Sequence, residues 1–251
     1  MPKNRKTESL LYEKPRFLQA GDSAVTIELG NVVDIGVNEA VAVLEKTIEE
    51  AAIEGVLATI PTYRSLQVIY DPARIRSREL IPRLSDLLPK DRQDAMGGRR
   101  WEIPVCYGSD HGMDLEFVAS AHNLSTDDVI GIHSGGEYRV YMIGFAPGFA
   151  YLGGLPDPLH TPRRNNPRTL TPARSVSLGG IQAAISTMPV PSGWHMLGQT
   201  PVRTYDLSRK EPFLLQTGDR IRFKPITHDE FERLDALAEK GDIIAQCEVI
   251  P

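Results

Sequence analysis

Cysteine is scarce in this chain of 251 residues: Cys106 and Cys247 are its only two. That is too few for a disulfide framework and makes a reducing cytosol the default compartment. Positive charge is short as well, with 28 Lys and Arg against 33 Asp and Glu. The resulting formal charge of −5 argues against nucleic acid or an anionic membrane as partner. No apolar run approaches the roughly 18 residues that span a bilayer. The start, MPKNRKTESLLYEKP, lacks the apolar stretch of a secretory signal, so residues 1–15 read as a disordered lead-in. Several chemistries are missing too. There is no G-x-x-x-x-G-K-[ST] phosphate cradle, no G-x-G-x-x-G after a strand and no G-x-S-x-G nucleophile turn. His111, His122, His133, His160, His195 and His228 never fall at zinc-ligand spacing, so no metal centre is expected.

What is present is a globular composition, 41% hydrophobic and 24% charged, long enough for two domains of ordinary size. Residues 16–29 read as two extended segments around the turn 20–23. A helix is expected over 35–52, where Val37, Val41, Leu44 and Ile48 recur at helical spacing. Apolar runs at 55–61 and 65–71 and an amphipathic pattern over 77–88, opened by Ser77 as cap, complete a ββαββα order. That order gives an α+β domain over 16–95, its helices on one face of a small antiparallel sheet. The polar stretch 89–100 holds the boundary.

From residue 96 onward a second domain begins with the strand-like WEIPVCY (101–107), two short helices (114–123 and 126–134, with Ser125 and Asp128 as a capping box) and the strand EYRVYMIGF (137–145). Beyond Pro158 short apolar runs alternate with Pro and Gly, the pattern of a barrel or sandwich. A helical pattern at 227–241 and a strand at 242–250 end the chain. The two short helices resemble a helix-turn-helix. Yet residues 101–138 hold seven acids and no Lys or Arg, and a recognition helix needs cationic contacts to phosphate. DNA binding is therefore rejected.

Three segments can carry chemistry. GFAPGFAYLGGLP (144–156) gathers four glycines, two prolines and three aromatic rings without a charge. Its glycines allow the backbone close to a ligand and proline limits the entropy lost on closing around it, with Phe145, Phe149 and Tyr151 as an apolar wall; a loop plugging a barrel end with its own rings is the competing reading. Residues 158–205 contain five arginines (Arg163, Arg164, Arg168, Arg174, Arg203) and no acid, in an otherwise acidic protein. The guanidinium fork suits a small anion; arginines bonding loop carbonyls or pairing with acids of the first domain are the alternative. In PVPSGWHMLGQTP (189–201), His195 beside Trp194 is either an acid–base group or a packed, hydrogen-bonded ring. Gln182, after Gly179 and Gly180, either orients a substrate amide or satisfies a neighbouring backbone group.

In chain order, EYRVYMIGFAPGFAYLGGLP, TPRRNNPRT, SVSLGGIQAAI, GWHMLGQTP and LLQTGDRIRFKPI closely resemble the allophanate hydrolase subunit 1 family, also known as the 5-oxoprolinase B subunits and typified by KipI. RFLQAGDSAVTIELG resembles the family's opening, and the likeness covers about residues 16 to 226. The chain departs from the family pattern at His195, where glutamine or asparagine is common. The resemblance implies a cyclophilin-like β-barrel over 96–251. It implies a cytoplasmic component of an ATP-dependent amidohydrolase that opens 5-oxoproline to glutamate and binds a small carboxylate in the barrel pocket. ATP would be used by the complex, no P-loop being present here. The partners implied are a companion carboxyltransferase-like subunit (the KipA-like C component of 5-oxoprolinase) and a third subunit (the A component, of the LamB/YcsF type). Alternatives are an inhibitor of a sensor histidine kinase and the carboxyltransferase component of a urea carboxylase/allophanate hydrolase system; any biotin would come from another chain. On this reading Arg163, Gln182 and His195 are the catalytic candidates. Phe145, Pro147, Phe149, Tyr151, Arg164, Gly179, Gly180 and Trp194 bind substrate, and amides near Gly179 and Gly180 could stabilise an oxyanion.

Overall fold

The computed structural model describes residues 11–89 and 98–250. The chain divides into two compact units, Met1–Met96 and Gly97–Pro251. In the first, strands β1 (Leu11–Gln19) and β2 (Ala24–Gly30) are followed by helix α1 (Ile35–Ala51). Strands β3 (Val56–Pro61) and β4 (Ser65–Tyr70) and helix α2 (Ser77–Asp86) complete it. The sheet is antiparallel throughout, in the order β1-β2-β4-β3. Alternation sends Val25, Ile27, Leu66 and Val68 to one face, where they meet Val41 and Leu44 of α1 in one buried cluster. The Asp34 side chain caps α1 by accepting from the Val37 amide.

Two local expectations change. β1 starts at Leu11, inside the segment expected to be a disordered lead-in, because Leu11 pairs with Gly30 and packs with Phe17 on the sheet's core. Residues 1–10 lie outside the described residues. Ser77 is the first residue of α2 rather than its cap: the Arg76 carbonyl accepts from the amides of Glu79 and Leu80, and Arg76 takes the cap position.

The second unit opens with β5 (Gly98–Tyr107), helices α3 (Leu115–His122) and α4 (Thr126–Gly135), and strands β6 (Tyr138–Ile143) and β7 (Ala150–Gly153). Then come β8 (Arg168–Thr171), β9 (Ser175–Gly179), β10 (Gln182–Ile185), β11 (Val190–Ser192), β12 (His195–Gln199) and β13 (Arg220–Ile226). Helix α5 (His228–Ala238) and strand β14 (Gln246–Ile250) end it. Seven strands run β12-β9-β10-β7-β6-β13-β5, and β12 returns to pair with β5 at Gly198–Tyr107 and Gln199–Cys106, which closes a barrel. β13 lies parallel to β5, β14 adds to β5 as an extra strand, and β8 with β11 forms a separate two-stranded ribbon. Inward-pointing Val105, Val140, Leu152, Val176, Ala183 and Leu197 are fully buried in one cluster. A barrel this narrow is filled by its own side chains.

Candidate functional site

Among the described residues these apolar side chains fill the inside of the barrel, and the candidate polar and aromatic groups gather on its outer face. Strand alternation supplies such a face: Leu152, Ala183 and Leu178 point inward, whereas Tyr151 and its cross-strand partner Ala184 point out. Phe149, Val190 and Trp194 fold over Ala184 as a second, smaller cluster, with Ala146, Tyr151 and Met188 packed against it.

The aromatic rings of the glycine-rich loop do come together. Phe145 meets Phe149 edge-on at 5.6 Å between centroids, Phe149 lies 4.7 Å from Tyr151, and Tyr151 meets Trp194 edge-on at 6.0 Å. The loop closes on itself where the Gly144 amide donates to the Phe149 carbonyl at 3.0 Å. Pro147 is exposed, and its carbonyl accepts from Thr187 Oγ1 at 2.7 Å. Phe145 takes a left-handed backbone (φ 67°), rare for a large side chain, and is 66% exposed. Gly148 (φ 71°) has no room for a side chain: a Cβ there would lie 2.6 Å from Tyr205. At Gly179 a Cβ would lie 2.8 Å from the Trp194 ring, so only glycine lets the indole rest on β9.

Arg163 joins this surface. Its guanidinium carbon lies 5.4 Å from the Trp194 ring centroid. Burial pushes the Tyr151 phenol up, and the charge of Arg163 opposes that shift. Among the described residues Arg163 is exposed and pairs with no carboxylate. The other four arginines of the acid-free segment are engaged. Arg168 binds Asp114 through two hydrogen bonds of 2.7 Å, Arg174 binds Asp235, and Arg203 lies 3.7 Å from Glu239. Arg164, expected beside Arg163 as a second anion ligand, also donates to Asp114, at 2.8 Å. All of these carboxylates lie within the second unit, not the first domain.

Three further candidates find different roles. Gln182 opens β10 opposite Gly179, half-buried on the outward face beside the seat of Trp194. Gly180 donates its amide to the Thr161 carbonyl at 2.7 Å and accepts from the Thr161 amide at 3.1 Å, so its N–H is not free for an oxyanion. His195 is 2% exposed and faces away from Trp194, pairing with inward-pointing Leu178. Its Nε2–H donates to the Pro162 carbonyl at 2.9 Å, its ring stacks on Phe117 at 4.9 Å, and its buried Nδ1 has no partner. It therefore holds the residue before Arg163 and lies outside the ring cluster.

No group of three or more metal-ligating side chains is gathered among the described residues, and no described helix is long and apolar enough to cross a membrane. Neither the turn at Gly179 and Gly180 nor the α4 N-terminus fits the phosphates of ATP. The Gly180 amide is engaged, and the α4 N-terminus already holds Asp127 and Asp128 where a phosphate would need positive potential.

Residues 15–215 match the family described as carboxyltransferase domain, subdomain C and D. The chain is 38% identical over 228 residues to the B subunit of 5-oxoprolinase from Bacillus subtilis, covering 85% of this chain and 93% of that one. It is 26% identical over 278 residues to a putative urea carboxylase of Emericella nidulans, covering 93% of this chain and 22% of that one. Among solved structures, that of TTHA0988 is similar with a TM-score of 0.73 at 36% identity, over 81% of this chain. The chain spans 39% of TTHA0988.

Proposed function

The chain belongs to the carboxyltransferase-domain family, subdomains C and D, and from that premise we propose that it is the B subunit of a multi-component 5-oxoprolinase. Such a complex opens the lactam of 5-oxoproline with water to give glutamate. The observation that carries the reading is Arg163, the one guanidinium of its segment without a carboxylate among the described residues, lying over Trp194 beside Tyr151. 5-Oxoproline is a small flat ring bearing one carboxylate. A planar cation with free donors suits the carboxylate, indole and phenol faces suit the ring, and the Gln182 amide suits the lactam N–H and C=O.

This chain supplies binding and orientation. Among the described residues of the site no nucleophile is activated: Ser192 Oγ accepts from the Trp194 amide, and His195 is tied to a carbonyl. The ATP-consuming step and the hydrolytic machinery belong to the companion and third subunits, so the chain by itself is inactive. The kinship with a putative urea carboxylase supports a second reading, a carboxyltransferase component acting on a carboxylated amide, for which the same cation and side-chain amide serve.

Co-expression with the companion subunits and an assay of ATP-dependent glutamate release test the proposal. Release is expected only when all subunits are present. A complete complex that binds or turns over a carboxylated urea, and leaves 5-oxoproline unchanged, would move the assignment to the second reading.

A further inference from the structure

We propose that Asp114 is the positioning residue that holds Arg163 over Trp194. What Arg163 is for rests on the reading above; the ties that fix its place do not.

Asp114 sits where α3 begins, and its carbonyl accepts the helix's first i to i+4 hydrogen bond, from the Val118 amide, at 2.9 Å. An aspartate at such a place ordinarily turns its carboxylate onto the helix's own free amides. Here the side chain makes no capping bond and turns the other way. The residue is 3% exposed and both oxygens are fully used. Oδ1 accepts from Arg164 Nη1 at 2.8 Å and Arg168 Nη2 at 2.7 Å; Oδ2 accepts from Arg168 Nη1 at 2.7 Å and the Met196 amide at 2.8 Å. Its own amide donates to the Met196 carbonyl at 3.0 Å. Burial pushes this carboxyl up, but the Arg168 hydrogen bonds, the Met196 amide and the charges of Arg168 and Arg164 outweigh it, and the group stays ionised below the usual carboxylate range.

The consequence lies in which chain segments these bonds join. Arg164 directly follows Arg163, and Met196 stands two residues after Trp194 on the same strand run. One carboxylate thus ties the chain beside each member of the Arg163–Trp194 pair, through Arg164 on one side and Met196 on the other. Gly193, which precedes Trp194, completes the frame by accepting from the Arg164 amide at 2.7 Å. Asp114 also holds Arg164 and Arg168 away from any incoming anion, so that Arg163 alone meets it. A buried carboxylate with two guanidiniums is a poor source of net stability compared with apolar packing. Its geometric effect, a fixed cation on a fixed ring, is what distinguishes it here.

The test needs no ligand. The chain has two tryptophans, Trp101 and Trp194, so 5-fluorotryptophan labelling gives two 19F resonances, assigned by Trp194→Phe. Asp114→Asn is expected to move the Trp194 resonance to where Arg163→Ala puts it, leaving that of Trp101 in place. The double variant should match Arg163→Ala alone. If Asp114→Asn does not fold, Arg168→Met, which removes the two-bond partner, is read in the same way. A folded variant of either kind with an unmoved Trp194 resonance overturns the proposal. In the assembled complex, Asp114→Asn should raise KM for 5-oxoproline about tenfold with a smaller change in kcat, and Asp114→Glu should recover part of it. Should the wild-type complex release no glutamate, the substrate reading fails while the 19F result still decides the role of Asp114.

Discussion

Arg163 over Trp194 is a cation–π pair at an exposed site, worth about 0.5–1 kcal/mol, and it leaves the guanidinium's edge donors for a ligand. The seat depends on a missing side chain. Gly179→Ala would push a Cβ to 2.8 Å from the indole, so it should cost about 1–3 kcal/mol through overpacking and shift the Trp194 19F resonance; denaturation and the same NMR measurement check both. A second residue predicts pH dependence. His133 is wholly buried, bonded at Nδ1 to the Tyr107 hydroxyl at 2.8 Å, and burial lowers its pKa to about 3. The folded value lies below the unfolded value of roughly 6.5. Its contribution is therefore fully present above about pH 6.5 and lost as pH falls towards 3, at no more than roughly 1.4 kcal/mol per pH unit. Urea denaturation at pH 7 and pH 4.5 should show a steeper loss for the wild type than for His133→Phe. At this scale the sequence is only partly legible. The acid-free segment offers five arginines and the family resemblance selects Arg163 and Arg164 together, but nothing local says that Arg164 and Arg168 turn to Asp114. The signal lies at long range, in a run of seven acids without a cation at 101–138 matched by five arginines without an acid at 158–205.

Elements with local signals are readable and those fixed by distant pairing are not. The α4 capping box follows from Ser125 and Asp128, and both of its reciprocal bonds are present. Ser125→Ala should cost about 1 kcal/mol, read as a lower denaturation midpoint without loss of the Arg163–Trp194 arrangement. The four strands and two helices of the first unit follow from apolar spacing, whereas 175–186 reads as one short run and is split into β9 and β10 by the turn at Gly180 and Ile181. Short runs after Pro158 allow a barrel or a sandwich. The choice rests on the return of β12 to β5, a pairing about ninety residues apart that no local pattern encodes. The same holds for the direction of side chains: alternation is clear in AYLG and QAAI, yet which set fills the barrel and which carries Tyr151 and Gln182 depends on closure.

At the scale of the whole chain, every residue of the ring–arginine surface, and Asp114 behind it, belongs to the second unit, which has a large buried core of its own. Residues 97–251 expressed alone should fold and keep the Trp194 19F signature; loss of that signature in a folded fragment would tie the site to the first unit. On the proposed reading catalysis belongs to a larger assembly; the chain spans 39% of TTHA0988 and 22% of the putative urea carboxylase. The most direct measurement is kcat/KM for glutamate release from 5-oxoproline by the assembled complex, with wild-type chain and with Arg163→Ala. Removing the guanidinium that no described carboxylate holds should lower it about a hundredfold, since a hydrogen-bonded charge contact is worth roughly 1.5–3 kcal/mol, while melting behaviour stays within a few degrees. An Arg163→Ala complex that turns over as fast as wild type would contradict the account.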